Sequence, residues 1–181
     1  MALKNVWENL RRRAYLGDAL AANIAAGPSS TTETTILASQ VVRLNNDIHV
    51  GLNLLVDVYG VLTTTDAGTG NDLDFALRYG STDIMQVEAN NIGTNASIIP
   101  WHYHAGVRIH TRGSSGKVVG VGYLWIGQAT SLINSTATAT AGESITLSTP
   151  GTFNLTMQWG TSHASNVCTA LAGALRIQEG V

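Results

Sequence analysis

The chain has 181 residues, of which 12% are charged and 44% hydrophobic, with a formal net charge of −2. That length supports one substantial core, and the hydrophobic share is that of a folded chain rather than a disordered one. The missing basic excess argues against free DNA or RNA as a partner.

Cys168 is the sole cysteine, so no intrachain disulfide forms, and a small lone cysteine is expected to be buried as an apolar residue. No apolar core follows Arg11-Arg12-Arg13, so no signal peptide is expected. No apolar run approaches the roughly 20 residues that cross a bilayer, so no membrane partner is expected. The expectation is a soluble protein made in a cytoplasm, in which the glycosylation-type triplets at Asn95, Asn134 and Asn154 are chance matches.

Residues 1–28 are expected to be a helical segment distinct from the rest of the chain. Asn5 and Glu8 have the spacing of a capping box, and Leu3, Trp7, Leu10 and Ala14 supply an apolar stripe. Gly17 would end that helix, Asp18 would cap a second, Ala-rich one running to Ala26, and Gly27-Pro28 would stop it. Arg11, Arg12 and Arg13 either grip an acidic neighbour or lie along a solvated helix face.

Ser29 to Thr34 has the composition of a linker, and residues 29–181 then read as strands and turns. Thr35 to Leu44 is a first strand. Leu52, Leu54, Val56 and Val58 alternate in a second that ends near Gly60, and Leu73, Phe75, Leu77 and Tyr79 line a third, opposite Asp72, Asp74 and Arg78. A turn at Gly80 to Asp83 leads to a short strand around Ile84 to Val87. After Pro100 comes the longest alternation: Trp101, Tyr103, Ala105, Val107 and Ile109 face one way, His102, His104, Arg108 and His110 the other.

A tight loop at Arg112 to Gly116 enters Lys117 to Ile126, whose Val119, Val121, Tyr123 and Trp125 are read as the core face. Gly120 and Gly122 opposite them mark a close neighbouring backbone or a bulge. Ser131 to Ala141 reads as a long Thr/Ala loop, and Glu143 to Leu147 as a further strand. Phe153, Leu155, Met157 and Trp159 form an alternating face, with a second run at Val167, Leu171, Leu175 and Ile177 completing a closing hairpin. About eight or nine strands without intervening helices predict an antiparallel β-sandwich, jelly-roll-like, with the count of an eight-stranded jelly roll.

Reactive constellations are sparse. His102 and His104 have a usable metal-ligand spacing, but a metal site needs three or four ligands, His110 is too far along the strand, and no acid lies near in sequence. The expectation is therefore no metal, the histidines lying on a polar strand face that meets solvent or another subunit. Ser162-His163 point apart on an extended chain and lack a nucleophile elbow. Gly113 to Lys117 is too short for a phosphate loop and has Val118 at the Ser/Thr position. Gly120-Val121-Gly122 lacks the third glycine of a dinucleotide fingerprint. Asp72 and Asp74 read as a solvated rim, and Trp101, Trp125 and Trp159 as core residues. No catalytic residue and no cofactor are expected.

The order of several segments resembles a group of small tailed-bacteriophage virion proteins. The shared features are the Ser/Thr-Glu-Thr opening at Ser29 to Leu37, the strand ending Val56-Asp57-Val58-Tyr59-Gly60, and Leu73 to Gly80. Pro100-Trp101, the Arg108 to Gly116 hairpin and the ending Gln158 to Asn166 complete the series, which spans residues 29 to 178. The resemblance implies a non-enzymatic, jelly-roll-like structural protein of the virion, often oligomeric, with no catalytic residues to transfer.

The leading expectation is a capsid decoration or cement protein, a homotrimer seated on the major capsid protein lattice. The alternative is a tail, neck or head-fibre component with a receptor- or glycan-binding role. Trp7, Arg11, Arg12, Arg13 and Tyr15 are the expected capsid or subunit contacts, because the pattern breaks at Gly27-Pro28. Removing residues 1–27 is expected to leave a soluble β-domain that no longer decorates particles.

Overall fold

The computed structural model describes residues 15–18, 24–26, 32–38, 50–64, 72–89, 92, 98–127, 132–138, 143–146, 151–160 and 166–179. In chain order their strands are β1 (Tyr15–Asp18), β2 (Ile24–Ala26), β3 (Thr34–Ala38), β4 (Leu52–Thr63), β5 (Leu73–Tyr79) and β6 (Thr82–Ala89). Then come β7 (Ile99–Thr111), β8 (Gly116–Gly127), β9 (Leu132–Thr138), β10 (Glu143–Ile145), β11 (Phe153–Trp159) and β12 (Val167–Glu179). They form an antiparallel, jelly-roll-like β-sandwich. The larger sheet runs β1-β12-β4-β7-β8-β10, with β2 also on β12 and β9 also on β8; the smaller runs β3-β11-β5-β6.

Alternation decides which faces meet. On β7, Trp101, Tyr103, Ala105, Val107 and Ile109 are buried, and on β4 Leu52, Leu54, Val56, Val58 and Leu62 are buried beside them. The smaller sheet answers with Leu73, Phe75, Leu77 and Tyr79 of β5 and Phe153, Leu155, Met157 and Trp159 of β11. Phe75 joins the sheets, its ring centroid 5.0 Å from that of Trp101 and 5.8 Å from that of Tyr103. Each such large apolar side chain, once fully buried, stabilises the fold by about 1.5–3 kcal/mol.

On the outer side of the smaller sheet, the Ser/Thr-Glu-Thr segment has a structural role. Glu33, just before β3, accepts hydrogen bonds from Arg78 Nη1 of β5 and from Thr156 Oγ1 of β11. Arg78 Nε also donates to Asp83. One carboxylate thus ties three neighbouring strands at one level.

Several expectations change. Where the described residues enter the N-terminal segment expected to be helical, they are strands. β1 pairs with Leu175 and its neighbours on β12, and β2 pairs with Cys168 to Ala170, so the open hydrogen-bonding edge of β12 overrides local helical spacing. The rest of residues 1–28, including Trp7, Arg11, Arg12 and Arg13, lies outside the described residues, as do residues 39–44 of the first expected strand. Residues 132–138, read as loop, are β9, paired with Val121 to Gly127 of β8.

The two closing strands are not a hairpin. β11 pairs with β3 and β5 in the smaller sheet, whereas β12 pairs with β4 in the larger. Trp159 and Val167 therefore lie on opposite layers of the sandwich. β12 also carries a bulge between Ala170 and Ala172, which reverses its phase. Cys168, Ala170 and Leu175 consequently point inward while Leu171 is 45% exposed.

On β8 the faces are reversed from expectation: Val118, Leu124 and Ile126 are buried, and Val121 and Tyr123 are exposed. Register dictates this, because Ile126 pairs with Trp101, Leu124 with Tyr103 and Val118 with Ile109, and paired residues share a face. Gly120 and Gly122 occupy the inner face opposite Val107 and Ala105. A Cβ on Gly120 would stand 2.6 Å from the Gly106 carbonyl oxygen, so the close-backbone reading of these glycines holds. Trp101 and Trp159 are each 1% exposed; Trp125 lies on the outer face and is half-buried.

Candidate functional site

The outer face of the larger sheet carries a cluster of polar side chains around Asp57, His102 and His104. Because β7 buries its odd-numbered residues, His102 and His104 are forced outward. β4 lies beside it with Asp57 directly across from His104 and Tyr59 across from His102. On the other side β8 sets Tyr123 beside His104 and Trp125 beside His102. Two cross-strand rows result, Asp57–His104–Tyr123 and Tyr59–His102–Trp125, on three rigid adjacent strands.

Contacts within and between the rows are close. Asp57 Oδ1 is hydrogen-bonded to His102 Nε2 and lies 3.7 Å from His104 Nδ1. Tyr123 stacks on His104 with centroids 5.3 Å apart and planes at 28°, and meets His102 edge-on at 5.9 Å and 87°. Burial raises the affinity of Asp57 for its proton, but the hydrogen bond and charge of His102, with the charge of His104, outweigh it and hold this carboxyl below its ordinary range. Solvent reaches all three: their side chains are 49% (Asp57), 34% (His102) and 40% (His104) exposed.

Around this cluster the face is apolar as well as polar. Tyr59 is 53% exposed and Val121 57%, and Arg108 and His110 continue the outward face of β7 toward its end. The i, i+2 histidine pair is visible in the sequence. Its acidic neighbour is not, since Asp57 lies 45 residues before His102 and reaches it only through β4–β7 pairing.

Other candidates fare differently. The Gly113 to Gly116 segment is the turn between β7 and β8, closed by a hydrogen bond from the Gly116 amide to the Gly113 carbonyl. Cys168 is fully buried and its thiol is pushed up by desolvation, so it offers no reactive thiolate. Asp74 is not a freely solvated rim residue: its Oδ1 is buried without a hydrogen-bond partner. Desolvation, then the charges of Glu88 and Asp72, raises its pKa. His163 lies outside the described residues. Of the expected contact residues only Tyr15 is described, as the first residue of β1 opposite Arg176.

No family model matches the chain, and no curated protein does. Among solved structures, the chain is similar to a legume lectin-like domain from Entamoeba histolytica, at 7% identity over 97% of this chain and 93% of that one, with a TM-score of 0.35. It is also similar to an alginate lyase from Klebsiella pneumoniae, at 9% identity over 72% of this chain and 60% of that one, with a TM-score of 0.29. Neither likeness assigns a function.

Proposed function

We propose that the protein is a non-enzymatic structural component of a tailed-bacteriophage virion, a capsid decoration or cement protein that seats on the major capsid lattice as a homotrimer. The observation that carries the reading is the outer face of the larger sheet. It is a sheet surface on which Tyr59, Val121, Tyr123 and Leu171 stay exposed. Large apolar side chains gathered on one face are what a protein partner covers. Cementing works by burying such surface across capsomer junctions, with about 1,200 Å² or more for a stable specific contact.

The order of segments that resembles small virion proteins supports the same reading, and the sandwich suits it mechanically. The N-terminal segment, with Trp7, Arg11, Arg12, Arg13 and Tyr15, is a second contact element for a neighbouring subunit or capsid protein. The test is quantification of the protein in purified particles. A copy number in step with the major capsid protein supports decoration; a few copies per particle move it to the tail or neck. Charge reversal of Arg11, Arg12 and Arg13 together should then lower incorporation without lowering the melting temperature.

A second reading, a receptor- or glycan-binding module of a fibre, has one observation in its favour. Tyr59 and Tyr123 present aromatic surface beside the polar Asp57 and His102, the combination of apolar face and directed hydrogen bonds that ligand sites use. Saturable binding on a glycan array, lost in Tyr123→Ala, would favour it over decoration.

A further inference from the structure

We infer that Asp57, His102 and His104 form a binding site for a divalent transition-metal ion of the zinc class. One ligand atom from each residue lies within 4.8 Å of the other two, and among the described residues this is the one trio of histidine, cysteine or acidic side chains so placed. In a tetrahedral site with bonds near 2.0–2.1 Å, ligand atoms stand about 3.3 Å apart. The 3.7 Å between His104 Nδ1 and Asp57 Oδ1 is already close to that spacing. His102 Nε2 and Asp57 Oδ1 are hydrogen-bonded to each other, and an ion entering between them replaces that hydrogen bond with two metal bonds.

The donor set specifies the class of ion. Two imidazoles with one carboxylate suit zinc, nickel, cobalt or non-haem iron, and suit magnesium or calcium poorly because those ions seek oxygen. All three ligands stand on the neighbouring strands β4 and β7, Asp57 directly paired with His104 and diagonal to His102, so their separation is set by sheet geometry rather than by a loop. Tyr123 packs against both imidazoles, stacked on His104 and edge-on to His102, on the sheet face where both rings also meet Asp57. The solvent side of the cluster leaves the remaining coordination positions to water. His110, on the same face of β7, is not part of the trio and serves as an internal control.

The site does not depend on the virion reading and is tested on the purified full chain. After stripping with a chelator and exhaustive dialysis, the protein is titrated with zinc chloride by calorimetry, and with cobalt chloride by visible absorption. The expected result is one saturable zinc site per chain and a cobalt d–d spectrum that zinc displaces. His102→Ala, His104→Ala and Asp57→Asn should each weaken zinc binding about tenfold or more, comparable to or beyond the loss seen when supporting residues of metal sites are changed. His110→Ala should leave it unchanged. Circular dichroism melting curves accompany each variant, and a variant that has lost its unfolding transition is replaced by His104→Gln, which keeps a polar side chain without imidazole. Absence of saturable zinc binding, or binding that persists in Asp57→Asn and both histidine variants, overturns the assignment; so does binding lost with His110→Ala.

Discussion

Asp74 lies on β5 between Glu88 of β6 and Gln158 of β11, and one of its carboxylate oxygens is buried without a hydrogen-bond partner. Its raised pKa means the folded state holds the proton more tightly than the unfolded chain does. Protonation of Asp74 therefore favours folding at low pH. As pH rises through the unfolded and then the folded pKa that advantage is lost, and above them the charge is a standing cost. Asp74→Asn should raise the melting temperature near neutral pH, with the gain shrinking as pH falls below the carboxylate range. A gain independent of pH would show that charge is not the source. Trp159 gives the opposite case: it is 1% exposed at the end of the apolar face of β11. Trp159→Ala should cost about 3–5 kcal/mol of stability, measured by urea unfolding. That is a large share of the roughly 5–15 kcal/mol of a whole domain, so any loss of assembly in this variant should follow loss of fold. A variant that melts like the parent would contradict the packing.

At the scale of elements, what is legible in the sequence depends on how cleanly apolar and polar residues alternate. β5, β7 and β11 can be read directly, because Phe75, Tyr103 and Met157 and their partners keep a strict period of two over their strands. β8 inverts the reading. Its inner face holds Gly120 and Gly122, and its outer face holds Val121 and Tyr123, so hydrophobicity alone favours the wrong side until pairing with β7 is known. β9, with the sequence LINSTAT, offers no sustained apolar alternation and owes its extended form to hydrogen bonding along β8. In β12 a single bulge shifts the phase midway, a defect no periodicity test anticipates. The candidate site divides the same way. The histidine pair follows from the alternation of β7, while Asp57 and Tyr123 join it through two separate strand pairings.

For the molecule as a whole, the placement of β1 and β2 matters beyond their few residues. Both lie along β12 on the side away from β4, and β12 runs 13 residues with little charge, its sequence being VCTALAGALRIQE. Without them its backbone amides and carbonyls would form a long template open to any extended segment of suitable length. The N-terminal strands thus compete with neighbouring molecules for one set of hydrogen bonds, and a chain that surrenders them can accept the same strands from another copy, which is strand exchange. Deleting residues 1–27 should therefore not leave a well-behaved β-domain. The truncated protein should self-associate more with rising concentration than the full chain does, as read by light scattering after size exclusion, and a synthetic peptide of residues 13–27 should suppress that association. Equal behaviour of the two proteins would mean that β12 is protected by other means.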